Sequence, residues 1–170
     1  MKPTTTHAHA NHRPRHDGME SGQHSDPYQQ RRKPPQPSSC PDCQATFQQG
    51  RWSWEAPPAG AGSHRCPACE RIRDRVPAGE LSLEGSFLAA HAEEVMRLVN
   101  NTEQRIRQEH PLERLIDTSG DPAGGAVLLR FTGIHATHGL GKALVKAFGG
   151  TLNAPYPDAG SPMRAHWQRG

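Results

Sequence analysis

The chain has four cysteines, arranged as two Cys-x-x-Cys pairs: Cys40-Pro41-Asp42-Cys43 and Cys66-Pro67-Ala68-Cys69. Each pair closes a tight turn in which both sulfurs face one point and backbone N–H groups support the thiolates. Two such knuckles separated by 22 residues, Gln44 to Arg65, form the donor pattern of a tetrahedral four-thiolate zinc site. The separation is slightly longer than usual, and the Gly-Pro-rich stretch Ala56–Ser63 can absorb it as a hairpin tip. Four thiolates leave no coordination position for water, so the expected metal is one structural zinc without chemistry of its own. Two disulfides would require an oxidising compartment. A thioredoxin-type redox pair requires a single knuckle opening a helix after a strand. His64 lies two residues before Cys66 and is read as a loop histidine, not a ligand.

The elements that must hold these sulfurs follow from the flanking residues. Ala45-Thr46-Phe47 and Arg51-Trp52-Ser53-Trp54 alternate as strands, which makes residues 37–77 a zinc ribbon. After the second knuckle, helical spacing places Cys69, Ile72 and Val76 on one face toward the metal core, with Pro67 in the first turn and Pro77 as a stop. Arg71, Arg73 and Arg75 then point outward. With Arg51, Arg65, Trp52 and Trp54 they compose an arginine–aromatic surface of the kind that stacks bases and holds phosphates of single-stranded RNA. Glu55, Glu70 and Asp74 offset part of that charge.

Composition divides the chain of 170 residues. Overall 33% of residues are apolar, and Gly and Pro number 17 and 16. Residues 1–36 contain only five apolar side chains (Met1, Ala8, Ala10, Met19 and Tyr28) and five of the 11 histidines. This segment is expected to be a disordered, His/Pro-rich basic tail. The formal net charge of +3 resides in it, because acids and bases balance in residues 37–170. A folded part without net positive charge argues against tight, non-specific duplex binding and leaves a local patch as the route to nucleic acid. No apolar run is long enough to span a bilayer, and Met1–His7 has no secretory stretch. The expected setting is cytoplasmic, without membrane contact.

Residues 78–170 read as βαββαββ. A strand at Glu80–Glu84 precedes a long helix over 86–109, capped by Ser86, with a stripe of Leu88, Ala92, Val95, Val99, Thr102 and Ile106. Strands are expected at Leu112–Thr118 and Gly125–Thr132, a second helix over 134–148 stopped by Gly149-Gly150, and closing strands at Thr151–Ala154 and Met163–Gln168. The fold class is therefore α+β: an N-terminal four-cysteine zinc ribbon, then a domain with an antiparallel sheet and two helices on one face.

No catalytic constellation is legible. The segment Thr132–Ala143 resembles a phosphate loop only superficially, since Ala136 and Ala143 stand where that motif needs Gly and Ser or Thr. His135 and Lys142 could assist an anion at the helix start.

Several phrases together resemble a family of small, uncharacterised bacterial zinc-ribbon proteins. They are Cys40-Pro41-Asp42-Cys43 followed by Gly50-Arg51-Trp52-Ser53-Trp54, then Cys66–Asp74 and Pro77-Ala78-Gly79, with Phe87–His91, His110–Arg114, Ile134-His135 and His166-Trp167. The resemblance covers about 38–169. More distantly, the layout is similar to the zinc-binding region of the nonsense-mediated-decay-type adaptor that escorts the large ribosomal subunit, a family with more cysteine knuckles. That resemblance implies contact with RNA or the ribosome. The expectation is a non-catalytic zinc-ribbon adaptor for RNA or a ribonucleoprotein; the alternative is a protein–protein regulatory module in which zinc is purely structural.

Overall fold

The computed structural model describes residues 26–28 and 33–170. Most of the expected tail, residues 1–36, lies outside the described residues. The parts described are in contact with the ribbon: Pro34 is buried, and the Gln36 side chain accepts the Gly50 N–H.

The ribbon is built from four very short strands, β1 (Ser38–Ser39), β2 (Thr46–Gln48), β3 (Arg51–Ser53) and β4 (Gly62–Ser63), and one helix, α1 (Pro67–Asp74). They form a sheet in the order β3-β2-β1-β4, antiparallel except where β4 runs parallel to β1. The expected β2–β3 hairpin forms, pairing Thr46 with Ser53, Phe47 with Trp52 and Gln48 with Arg51. The outer pair β1–β4 is set by chain-distant backbone bonds, Gly62 N–H to the Pro37 carbonyl and His64 N–H to the Ser39 carbonyl.

The second part contains β5 (Gly79–Glu84), α2 (Ser86–Ala90), α3 (Ala92–Glu109), β6 (Leu115–Asp121), β7 (Ala126–Phe131), α4 (Ile134–Phe148), β8 (Thr151–Asn153) and β9 (Met163–Gln168). Its sheet order is β6-β7-β5-β9-β8. The α+β class and the βαββαββ order hold, with two corrections. The central pair β5–β9 is parallel while the other three pairings are antiparallel. After α4 the chain runs out along edge strand β8 and returns as β9 between β8 and β5. The single helix expected over 86–109 is two, interrupted at His91, whose ring stacks on Phe87 with centroids 4.3 Å apart. Its start is Gly85, with φ of 123° and no side-chain cap, not Ser86.

Period-two alternation decides the core. Leu81 and Leu83, Val127, Leu129 and Phe131, and Met163, Ala165 and Trp167 are buried on one face, beneath α2, α3 and α4, which contribute Leu88, Val95, Val99, Leu140 and Leu144. Trp167 is fully buried, and its indole N–H donates to the Gly149 carbonyl at 2.9 Å, so a side chain this large loses no hydrogen bond on burial. The opposite face carries the ion pairs Arg130 with Asp117 and Arg164 with Glu80, and sets His166 beside Glu84.

Candidate metal centre

The four sulfurs converge. The Sγ atoms of Cys40, Cys43, Cys66 and Cys69 all lie within 4.8 Å of one another, with Cys43 and Cys66 3.8 Å apart. The first knuckle closes through Gln44 N–H to the Cys40 carbonyl and Cys40 N–H to the Ala45 carbonyl, both at 2.8 Å. The second opens α1: Cys66 is its N-cap, the Cys66 sulfur accepts the Cys69 N–H, and Pro67 occupies the first turn. The cluster can hold one metal ion.

Backbone donors and burial act oppositely on these thiols. Burial works to raise Cys40, but the N–H groups of Cys66, Cys43 and Asp42 outweigh it and bring the thiol down to about 7. Burial pushes Cys66 well above the ordinary thiol value and raises Cys69 to about 11, against the pull of Arg114.

Arg114 is the residue that sequence reasoning missed. It lies just before β6, far along the chain from both knuckles, and is only 4% exposed. One guanidinium nitrogen sits 3.2 Å from the Cys66 sulfur and 3.1 Å from the Cys69 sulfur. No carboxylate pairs with it among the described residues, and its Nε has no partner. A buried guanidinium facing neutral thiols would be an uncompensated charge. Four thiolates around a divalent ion carry a net charge of about −2, which supplies the missing counter-charge. The donor set and this arginine therefore fit a bound dication. Nothing in the spacing ties Arg114 to the cysteines; the sequence signals are its place in the His110–Arg114 phrase of the resemblance and an arginine at the threshold of an apolar strand.

The same segment joins the two parts. Leu112 packs on the cysteine cluster, and the Trp54 indole N–H donates to the Arg107 carbonyl at the end of α3, 2.7 Å away. Glu113 accepts the Ala136 N–H at 2.8 Å. The first turn of α4, read as a candidate anion site, thus already holds the chain's own carboxylate.

The expected arginine–aromatic surface is only partly assembled. Arg71, expected to point outward, is 6% exposed, pairs with Asp26 and donates to the Val76 carbonyl, and lies 4.5 Å over the Tyr28 ring. Val76, expected inward, is exposed. The reversal arises because α1 ends at Asp74 and Arg75 takes a left-handed conformation (φ 55°), which takes Val76 off the helical phase. Arg65 pairs with Asp42, Arg73 with Asp74 and Arg51 with Glu55. Trp52 packs into the ribbon against Phe47, centroids 5.3 Å apart, and stacks with His64. Trp54 is 37% exposed but anchored to α3. Arg75 is the one member of the set that is exposed and without an ion pair among the described residues.

Compared with protein-family models, curated proteins and solved structures, the chain matches none. Among the described residues no helix is long and apolar enough to cross a membrane.

Proposed function

We propose that this protein is a non-catalytic adaptor in which one structural zinc locks a ribbon onto an α+β platform that contacts RNA or a ribonucleoprotein such as the ribosome. The observation that carries the structural part is the closed sulfur cluster with Arg114 against it. With zinc–sulfur distances of about 2.3 Å, a tetrahedral site has sulfur–sulfur edges of about 3.8 Å, which is the Cys43–Cys66 separation. The sulfurs contact backbone N–H groups, a guanidinium and apolar side chains, and four thiolates fill a tetrahedral shell, leaving no coordination position for a substrate or an activated water. Thiolate ligation suits a reducing compartment, and we place the protein in the cytoplasm.

The RNA reading is supported by cations that the fold leaves without acidic partners, Arg75 on the ribbon and several on the helical layer, and by the resemblance to the ribosomal adaptor. The pairing of most ribbon arginines with carboxylates favours the second reading, a protein–protein module with the zinc as staple. Affinity capture of the tagged protein from lysate, with and without ribonuclease, separates the two. Partners lost on ribonuclease treatment support the RNA adaptor, and partners retained support the protein module.

A further inference from the structure

Three of the cations without ion-pair partners lie together. Antiparallel packing of α3 on α4 leaves a groove of about 660 Å³ along their outer seam. Arg105 rises from α3 on one side, and Lys142 and Lys146 from α4 on the other. None of the three has an ion-pair partner among the described residues, and no carboxylate lines the groove. Elsewhere the fold pairs Arg51, Arg65, Arg71, Arg73, Arg130 and Arg164 with acids. The groove is therefore a concentrated patch of uncompensated positive charge on a folded part whose formal charges balance.

Its floor is kept open at a position where packing makes no such demand. Gly139 lies mid-helix, where glycine is unfavourable. A β-carbon there would meet nothing closer than the Ile106 Cδ1 at 3.5 Å, an ordinary contact. Gly141, two residues on, differs: a β-carbon there would come within 2.8 Å of Leu152. The glycine at 141 is explained by packing and the one at 139 is not. The absence of a side chain at 139 leaves the groove open on the side of Ile106.

The geometry points to this α3–α4 groove as the seat of a phosphodiester backbone, that of single-stranded RNA, and this rests on the RNA reading above. Lys142 and Lys146 are four residues apart on one helix face, about 6 Å along the axis, a separation comparable to the step between neighbouring phosphates of one strand. Arg105 faces them across the seam and offers a forked donor to a phosphate. Helices packed at interaxial distances of about 8–10 Å leave a seam that admits a strand and not a duplex.

The test uses the full zinc-loaded chain and a short labelled oligouridylate, titrated at several salt concentrations. Lys142 and Lys146 are exposed, so the Lys142→Gln/Lys146→Gln double variant should melt like wild type. It should bind about tenfold more weakly at low salt, with a log–log salt slope shallower by about 1.4, since each phosphate contact on a single strand contributes about 0.7. A control double variant, Arg51→Gln/Arg73→Gln, should stay within about twofold. If the groove variant binds like wild type while the ribbon variant is weakened, the groove assignment is overturned and the RNA reading stands. If wild type binds no oligouridylate but takes up oligoglutamate through the same lysines, the occupant is an acidic protein and the RNA reading falls with the proposal. If wild type binds neither, both fail.

Discussion

The Arg114 guanidinium lies 3.1 Å from the Cys69 sulfur, and this contact ties the metal site to the α+β domain. Arg114 follows the loop that connects α3 to β6, while Cys69 is in the first turn of α1. Its backbone is held as well: the Arg114 N–H donates to the Thr132 hydroxyl, and its carbonyl accepts the Thr132 N–H, both at 2.8 Å. A change in charge at the sulfurs is therefore felt directly where β6 and β7 begin and end. Metal binding is expected to strengthen docking of the ribbon on the α+β domain.

Arg114→Met should lower metal affinity by about 10- to 100-fold, as loss of a group supporting the ligands does, and should destabilise the loaded protein by about 3 kcal/mol through the uncompensated charge left behind. Arg114→Lys restores the charge but should recover only part of this, because an ammonium is more strongly hydrated than a guanidinium and costs more to bury against the sulfurs. Competition with a chromophoric chelator and thermal melting read the two effects.

Metal analysis should give one zinc per chain, and Cys66→Ser should abolish it. Cys66 is both a ligand and the N-cap of α1, so the variant should also lose helical signal. Chelation of the wild type should loosen the ribbon while the core around Trp167 stays folded, because that core contains no residue of the ribbon.

Metal binding should release protons with a defined sign. Without metal, Cys69 titrates at about 11 and Cys66 higher still because both are buried, so at neutral pH these thiols hold their protons. Cys40, near 7, is about half ionised there. The metal binds only thiolates, so the loaded state is favoured as pH rises and lost as it falls. Below the Cys40 value that proton too must be displaced, and the dependence steepens. Calorimetry in buffers of different ionisation enthalpy should show at least two protons released per ion at pH 7, from Cys66 and Cys69, with a further fraction from Cys40.

Two glycines should respond oppositely to alanine. At Gly79, on β5, a β-carbon would overlap the Thr137 side chain of α4, and Gly79→Ala should cost about 1–3 kcal/mol through forced separation of helix and sheet. Gly139→Ala meets only an ordinary contact at 3.5 Å and should stabilise by about 0.8–1 kcal/mol through helix propensity. Denaturant midpoints at unchanged m-value check both.

Glu113→Ala should cost about 1 kcal/mol, the usual worth of an acceptor at a helix start. Gly133, the N-cap, has no side chain to offer, and a β-carbon there would collide with the Glu113 carboxylate. The pair Gly133–Glu113 thus substitutes for a conventional cap: Gly133→Ser should destabilise the wild type, where its β-carbon meets the carboxylate, and should recover part of the loss in the Glu113→Ala background, where the carboxylate is gone and a serine can cap the helix, both read by equilibrium unfolding.

What the sequence determined by itself is local. The two knuckles at 40–43 and 66–69, the hairpin 46–53, the strands at 126–131 and 163–168 and the helix 134–148 follow from spacing, period-two alternation and the Gly149 stop, all of which act within a few residues. Arg73 and Arg75 face outward as their spacing implies, but Arg71 and Val76 did not follow: Val76 leaves the helical phase because α1 stops at Asp74, and Arg71 is drawn in by Asp26 and Tyr28 across more than 40 residues of chain. The parallel β5–β9 pairing, Arg114 against the sulfurs, Glu113 on the α4 start and the cationic seam of α3 and α4 likewise bring together residues distant in the chain. No periodicity encodes such meetings. They are decided when the sheet and helical layer close over one core, and that closure sets which charges find partners and which are left open.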